Sequence, residues 1–146
     1  MLGNNVAVVV RWSELKGIQE VRDVMIRKVI TAQPAASLTD IAKLMRKNRI
    51  GSVIVTRGKK PVGILTESDF IKLVARGCDM KNALAEDYMN RNVITCDSSL
   101  TVIDALMIMR SERIRHLPVV RSRNLVGIMS IRDLIAATQF LSFYAI

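Results

Sequence analysis

Apolar residues recur at helical spacing twice in this chain, at Ile41, Leu44 and Met45 and again at Ala105, Ile108 and Met109. That i, i+3, i+4 stripe marks a half-buried helix. Each stripe follows a hydroxyl with a carboxylate three residues on, Ser37-Leu-Thr-Asp40 and Thr101-Val-Ile-Asp104, the sign of a capped helix start. A short β-branched run, Val29–Thr31, precedes the first helix and predicts a brief strand. After it comes the continuous apolar run Ser52–Thr56, a turn at Arg57–Lys60, and Val62–Leu65, which together predict a hairpin. Thr66 then starts a second helix through Val74. The same order follows in the second half, its last helix running toward Gln139. The repeating unit is β-α-β-β-α.

The two halves align without a gap at a shift of 64 residues. Asp23-Val-Met25 meets Asp87-Tyr-Met89, Val29-Ile-Thr31 meets Val93-Ile-Thr95, and Val62-Gly-Ile64 meets Val126-Gly-Ile128. About 18 of some 54 aligned positions are identical. A repeat of this length is one supersecondary unit whose apolar face its twin buries, so two copies imply a pseudo-twofold domain. The chain divides into an extension (1–20), a first repeat (21–76), a linker (77–84), a second repeat (85–139) and an apolar tail (140–146). Val6–Val10 in the extension predicts an added strand or an edge cover. The tail, Phe140–Ile146, holds half of the aromatic residues and is expected on a homodimer surface.

Composition narrows the class. Half of the 146 residues are hydrophobic but only 4% are aromatic, so aliphatic side chains and eight methionines must fill the core. No apolar run approaches the roughly 18 residues of a membrane span. Cys78 and Cys96 stand apart at no metal or paired-thiol spacing, which suits a reducing cytoplasm. Net charge is +9, so anionic ligands are expected. The surplus is uneven: residues 21–84 carry 13 basic and five acidic groups, residues 85–146 seven and six. Lys43, Arg46, Lys47, Arg49, Arg57, Lys59 and Lys60 supply most of it and read as a solvated helix face and turn. A nucleic-acid groove would add stacking aromatics, and none lies near this cluster in sequence. The lone histidine, His116, reads as a partly buried strand residue, Cys96 as a small buried filler, and Pro118 as a strand-edge residue. No Ser/His/Asp set and no phosphate-loop ending occur, so no enzyme is expected.

Val62-Gly-Ile-Leu-Thr-Glu-Ser-Asp69, Val126-Gly-Ile-Met-Ser-Ile-Arg-Asp133 and Arg113-Ile-Arg-His-Leu-Pro-Val119, with the duplication itself, closely resemble cystathionine-β-synthase (CBS) domains. These occur in tandem pairs called Bateman modules, and the resemblance spans about residues 21–139. It implies an α/β (α+β) fold of two β-α-β-β-α repeats packed sheet to sheet, and a stand-alone regulatory pair. It also implies disc-like homodimers and adenosine ligands in two clefts between the sheets. AMP is the leading ligand, with ADP and ATP fitting the same pattern and no cofactor required.

In that family each cleft joins the Thr/Ser-x-x-Asp element of one repeat to the first strand and hairpin of the other. The first cleft would then hold Thr31, Ala36, Ile50 and Gly51 opposite Ser130, Arg132 and Asp133. Thr31 would reach the base edge or ribose, Ala36 and Ile50 would sandwich adenine, Gly51 would admit close approach, and Arg132 would meet phosphate. The second would hold Thr95, Leu100, Ile114 and Arg115 opposite Thr66, Ser68 and Asp69. In both, the aspartate would hold the ribose hydroxyls. The hydroxyl and the free N–H groups of the following helix would bind phosphate. Thr/Ser-x-x-Asp is equally an ordinary capping box, and the two roles can coexist. Arg132 offers a phosphate fork that Ser68 lacks, and Leu100 narrows the second cleft where Ala36 opens the first. Because family membership does not settle function, a nucleic-acid binder using the basic first repeat and an empty-pocketed adaptor for a protein partner remain open.

Overall fold

The computed structural model describes residues 20–134. Val6–Val10, the end of the last helix and the tail Phe140–Ile146 lie outside the described residues. The elements run α1 (Val21–Val24), β1 (Thr31–Ala32), α2 (Leu38–Asn48), β2 (Ser52–Arg57), β3 (Lys60–Thr66) and α3 (Glu67–Ala75). The second half gives α4 (Ala85–Tyr88), β4 (Cys96–Asp97), α5 (Val102–Ser111), β5 (His116–Arg121) and β6 (Asn124–Ser130), and residues 131–134 are helical. The mixed α/β class and the doubled order match the expectation, with one short helix added at the head of each repeat.

Two three-stranded sheets form, β1-β2-β3 and β4-β5-β6. In each, a parallel pair is followed by an antiparallel hairpin with a bulge, at Val55/Thr56 and at Val119/Val120. The first strand is shorter than the run Val29–Thr31 suggests, because only Thr31 and Ala32 find partners, in Ile54 and Val55. Caps stop and start the helices as the sequence requires. Ser37 Oγ accepts from Asp40 N–H, and Thr101 Oγ1 accepts from Asp104 N–H, both at 3.1 Å. Each such cap contributes about 1 kcal/mol.

Alternation along the strands separates two faces. Val53 and Val55 face α2 and α3 and join Leu38, Ile41, Met45 and Leu65 in the first core. Ile54 is fully buried yet outside that cluster, on the face turned to the other repeat. Pro118 is its counterpart 64 residues on. Pro118 is buried on the central strand β5, not at a strand edge as its type suggests. Its missing N–H costs no ladder bond because β4 begins only opposite Val119.

The cores are not closed by their own repeats. Ala85 and Met89, around α4 at the head of the second repeat, are buried in the first core. Val21 and Met25, around α1, are buried in the second with Cys96, Met109, Leu117 and Met129. Ile26 exchanges two backbone hydrogen bonds with Ile128, and Asn90 two with Ile64, at 2.8–3.0 Å. Each exchanged leg buries two side chains, and burying a large one such as Val21 or Met89 contributes about 1.5–3 kcal/mol. The exchange therefore fastens the repeats to each other. It also explains the glycines of the two Val-Gly-Ile motifs. A Cβ at Gly63 would lie 2.5 Å from Met89 Cγ, and one at Gly127 2.9 Å from Met25 Cγ. The Asp-x-Met and Val-Gly-Ile identities are thus two halves of one contact. No helix among the described residues is long and apolar enough to cross a membrane.

Candidate functional site

Each Thr/Ser-x-x-Asp element sits where the third strand of a sheet passes into a helix. Thr66 is the N-cap of α3, one residue before the helix rather than its first member. Asp69 Oδ2 accepts from Thr66 N–H at 2.8 Å and from Thr66 Oγ1 at 2.9 Å. In the twin, Ser130 Oγ donates to Asp133 Oδ2 in a short hydrogen bond and accepts from Asp133 N–H at 3.1 Å. The capping reading therefore holds at both places. The first helical N–H is spent as well: Glu67 N–H donates to Gly51 O at 3.1 Å and Ile131 N–H to Arg115 O at 3.3 Å. The helix starts keep fewer free donors for phosphate than the expectation required. One acceptor stays open in each element: Oδ1 of Asp69 and of Asp133 takes no hydrogen bond among the described residues.

Two cavities lie in the described chain, and the larger one touches both of these elements through Glu67 and Arg132. A groove of about 820 Å³ runs between α2 and α3 and includes Ile50, Glu67 and Arg132, so one residue of the second repeat's element reaches the first repeat. A smaller cleft of about 210 Å³ is lined by Arg27, Thr31, Thr56, Lys59 and Leu125. The fold thus brings Ile50 and Arg132 together, while Thr31 lines the other cavity. Across that smaller cleft, Leu125 N–H donates to Lys59 O at 2.8 Å. The symmetric bond is impossible, since the counterpart of Leu125 is Pro61.

The remaining expected residues are distributed as follows. Ala36 packs half-buried against the first core, and Leu100 and Ile114 against the second. Thr95 is half-buried, whereas Ser68 and Arg115 are exposed. The space in front of Gly51 is filled: a Cβ there would lie 3.2 Å from His116 Nε2 and 3.6 Å from the Glu67 carboxyl carbon. Gly51 therefore admits the His116 ring, a contact between repeats that only the tertiary structure creates. Burial pushes the His116 imidazole pKa below its ordinary value and the Arg115 guanidinium adds to this, while Glu67 and Asp133 pull it back. His116 thus stands within electrostatic reach of both elements. Cys96 is buried and its thiol is pushed up to about 11, by burial first and then by the Asp97 charge, which makes it an inert filler.

Sequence reading missed Glu67, Phe70 and the cationic flank of the groove. The signal for the flank was present: Lys43, Arg46 and Arg49 fall three residues apart and share one side of α2.

Comparison with known proteins agrees with this architecture. The CBS domain model matches residues 21–76 and again 85–139. A protein of Methanopyrus kandleri is 36% identical over 124 residues, which cover 83% of this chain and 63% of that protein, so the chain spans less than two thirds of that relative. The crystal structure of a conserved protein of Pyrococcus horikoshii superposes with a TM-score of 0.77 at 27% identity, covering 84% of this chain and 93% of that one. The CBS domain pair of protein MJ0100, crystallised with 5'-methylthioadenosine and S-adenosyl-L-methionine, superposes with a TM-score of 0.76 at 30% identity, covering 84% and 98%. With both repeats matched and both sheets in place, the chain belongs to the CBS domain family, as a tandem pair.

Proposed function

We propose that this chain is a non-catalytic regulatory module that binds an adenosine nucleotide, AMP foremost and ADP or ATP by the same contacts, between its two repeats. One observation carries the reading. In both Thr/Ser-x-x-Asp elements the carboxylate is oriented by its own hydroxyl through Oδ2, and Oδ1 is left as an open acceptor. An acceptor-only group held in one orientation suits a ribose diol. The two adenosine ligands seen with the MJ0100 pair support the same class.

The first site draws on Ala36, Ile50, Ser130, Arg132 and Asp133, with Thr31 reached from the smaller cleft and the His116 ring seated against Gly51. The second comprises Thr95, Leu100, Ile114 and Arg115 with Thr66, Ser68 and Asp69. The first is favoured, because Arg132 brings a bidentate cation to the phosphate side. A nucleotide touching both repeats would shift the population of inter-repeat arrangements by its differential affinity for them, and a protein partner would read that shift. Self-association as a homodimer belongs to the same reading; the tail Phe140–Ile146 is its expected surface, and the exposed Ile103 and Met107 of α5, a helix whose charges balance, support a second apolar contact. Two unpaired thiols suit a cytoplasmic setting.

Thermal denaturation with AMP, ADP, ATP, S-adenosylmethionine and NAD tests the reading. A ligand at a hundredfold its Kd adds about 2.7 kcal/mol and raises the Tm. The rise is expected to shrink in Asp133→Ala and to vanish in Asp69→Ala/Asp133→Ala. An unchanged rise in the double variant refutes the site.

A further inference from the structure

The smaller cleft carries polar groups that the adenosine reading leaves idle. It lies where β1, the turn between β2 and β3, and Leu125 of the second repeat meet. Arg27 and Lys59 line it together with the hydroxyl-bearing Thr31 and Thr56, and no acid lines it. Among the described residues neither cation forms an ion pair. Thr56 is 5% exposed, yet its hydroxyl makes no hydrogen bond among the described residues. A buried polar group without a protein partner is rare and calls for another partner. The bulge at Val55/Thr56 re-aims the chain here, and Thr56 faces the cleft.

The two cations are placed rather than loose. The Arg27 guanidinium donates to Arg22 O in α1 at 3.0 Å, which leaves the rest of its donors free. Lys59 is held through its backbone, since its carbonyl accepts from Leu125 N–H at 2.8 Å. The second repeat lacks this arrangement. At the 64-residue shift Thr56 becomes Val120 and Leu125 becomes Pro61, so the hydroxyl and the bond between hairpins are both lost. The turns differ too. In the first, Gly58 alone has a positive φ of 59°, whereas Ser122 at 51° and Arg123 at 67° both do in the second. That is the difference between a type II′ and a type I′ hairpin, and it gives Lys59 a backbone geometry that Arg123 does not share.

We propose that this cleft binds a small tetrahedral oxyanion, as free phosphate or as the phosphoryl group of a small ester. Every polar side chain lining it can donate a hydrogen bond and none is acceptor-only, which selects a ligand made of acceptors. Arg27 offers a fork, Lys59 a point charge, and Thr31 and Thr56 two hydroxyls. The cleft, at about 210 Å³, is smaller than the roughly 300–1,000 Å³ of sites for drug-sized ligands, so its ligand is small. Arg132, the phosphate contact of the adenosine reading, lines the other cavity. The two sites share Thr31 alone, and the oxyanion site stands whether or not adenosine binds.

Isothermal titration calorimetry with inorganic phosphate, at ionic strength held constant with sodium chloride, tests the proposal. Phosphate is expected to bind saturably. Arg27→Gln and Lys59→Gln should each weaken it at least about tenfold. Thr56→Val, which copies the second repeat, should weaken it about three- to tenfold. Lys60→Gln and Arg123→Gln, outside the cleft, should leave it unchanged. Asp69→Ala/Asp133→Ala should keep phosphate binding while losing the rise in Tm with AMP, so the two sites fail separately. The substituted cations are exposed and valine is isosteric with threonine, so an unchanged Tm without phosphate verifies folding. Glycerol phosphate identifies the source: tighter binding than phosphate assigns an ester, weaker binding the free ion, and either upholds the site. Absence of saturable phosphate binding overturns the proposal, as does unchanged affinity in Arg27→Gln/Lys59→Gln. Equal weakening by Lys60→Gln marks diffuse charge rather than a site and equally overturns it.

Discussion

Replacing Gly63 by alanine tests whether the segment ahead of the second repeat really completes the first core. The added Cβ would lie 2.5 Å from Met89 Cγ and 2.9 Å from Met89 Cβ, and closer still to Sδ. A new rotamer relieves the sulfur and Cγ contacts, but Met89 Cβ moves only with the backbone. That backbone is tied on both sides: Met89 N–H donates to Ala85 O at 2.8 Å, and Asn90 exchanges two 3.0 Å bonds with Ile64. Strand β3 cannot yield freely either, since Gly63 pairs with Val55 next to a bulge. Expelling Met89, now 7% exposed, forfeits about 1.5–3 kcal/mol of burial. Loosening the two Asn90 bonds adds about 1 kcal/mol each. Gly63→Ala should therefore cost about 3–5 kcal/mol, a large share of the usual 5–15. Urea denaturation followed by circular dichroism measures it. Met89→Ala alone should cost about 2–5 kcal/mol. Because that substitution removes Sδ and Cγ, the double variant should cost less than the sum by at least about 1 kcal/mol. Additive costs, or a Gly63→Ala protein within about 1 kcal/mol of the parent, would refute the exchanged packing.

Two further outcomes concern titratable groups. The folded pKa of His116 is depressed, so the unfolded chain takes up a proton below about pH 6.5 that the folded chain resists. Stability is then expected to fall as pH drops from about 7 to 5.5, with His116→Gln flattening that slope; a parent protein indifferent to pH in this window contradicts the assignment. Cys96, with its thiol at about 11, should react with a disulfide reagent at pH 8 only as the protein unfolds, while the half-buried Cys78 reacts in the folded state. Prompt modification of both thiols would show that Cys96 is not enclosed.

Local chemistry wrote much of this fold directly into the chain. Ser37 and Thr101 place the helix starts, and the Ile41/Met45 and Ala105/Met109 stripes mark the faces that reach the cores. Hairpin and helix limits repeat at the 64-residue shift because both halves carry the same local signals. The paired Thr66/Asp69 and Ser130/Asp133 elements were equally legible, since a cap joins residues three apart. Contacts between distant residues were not. Met89 and Gly63 are visible as repeated identities, yet only the folded chain shows that they touch. Gly51 reads in the sequence as room for a ligand, and only the folded chain shows that the His116 ring of the other repeat lies against it. Lys43, Arg46 and Arg49 resembled a solvated face until α3 came alongside and made that face one wall of an apolar groove. Periodicity and caps depend on neighbours within a turn or a strand, so sequence determines them. Partner faces, exchanged legs and cavities depend on which surfaces meet, and that is decided only when the two repeats bury each other.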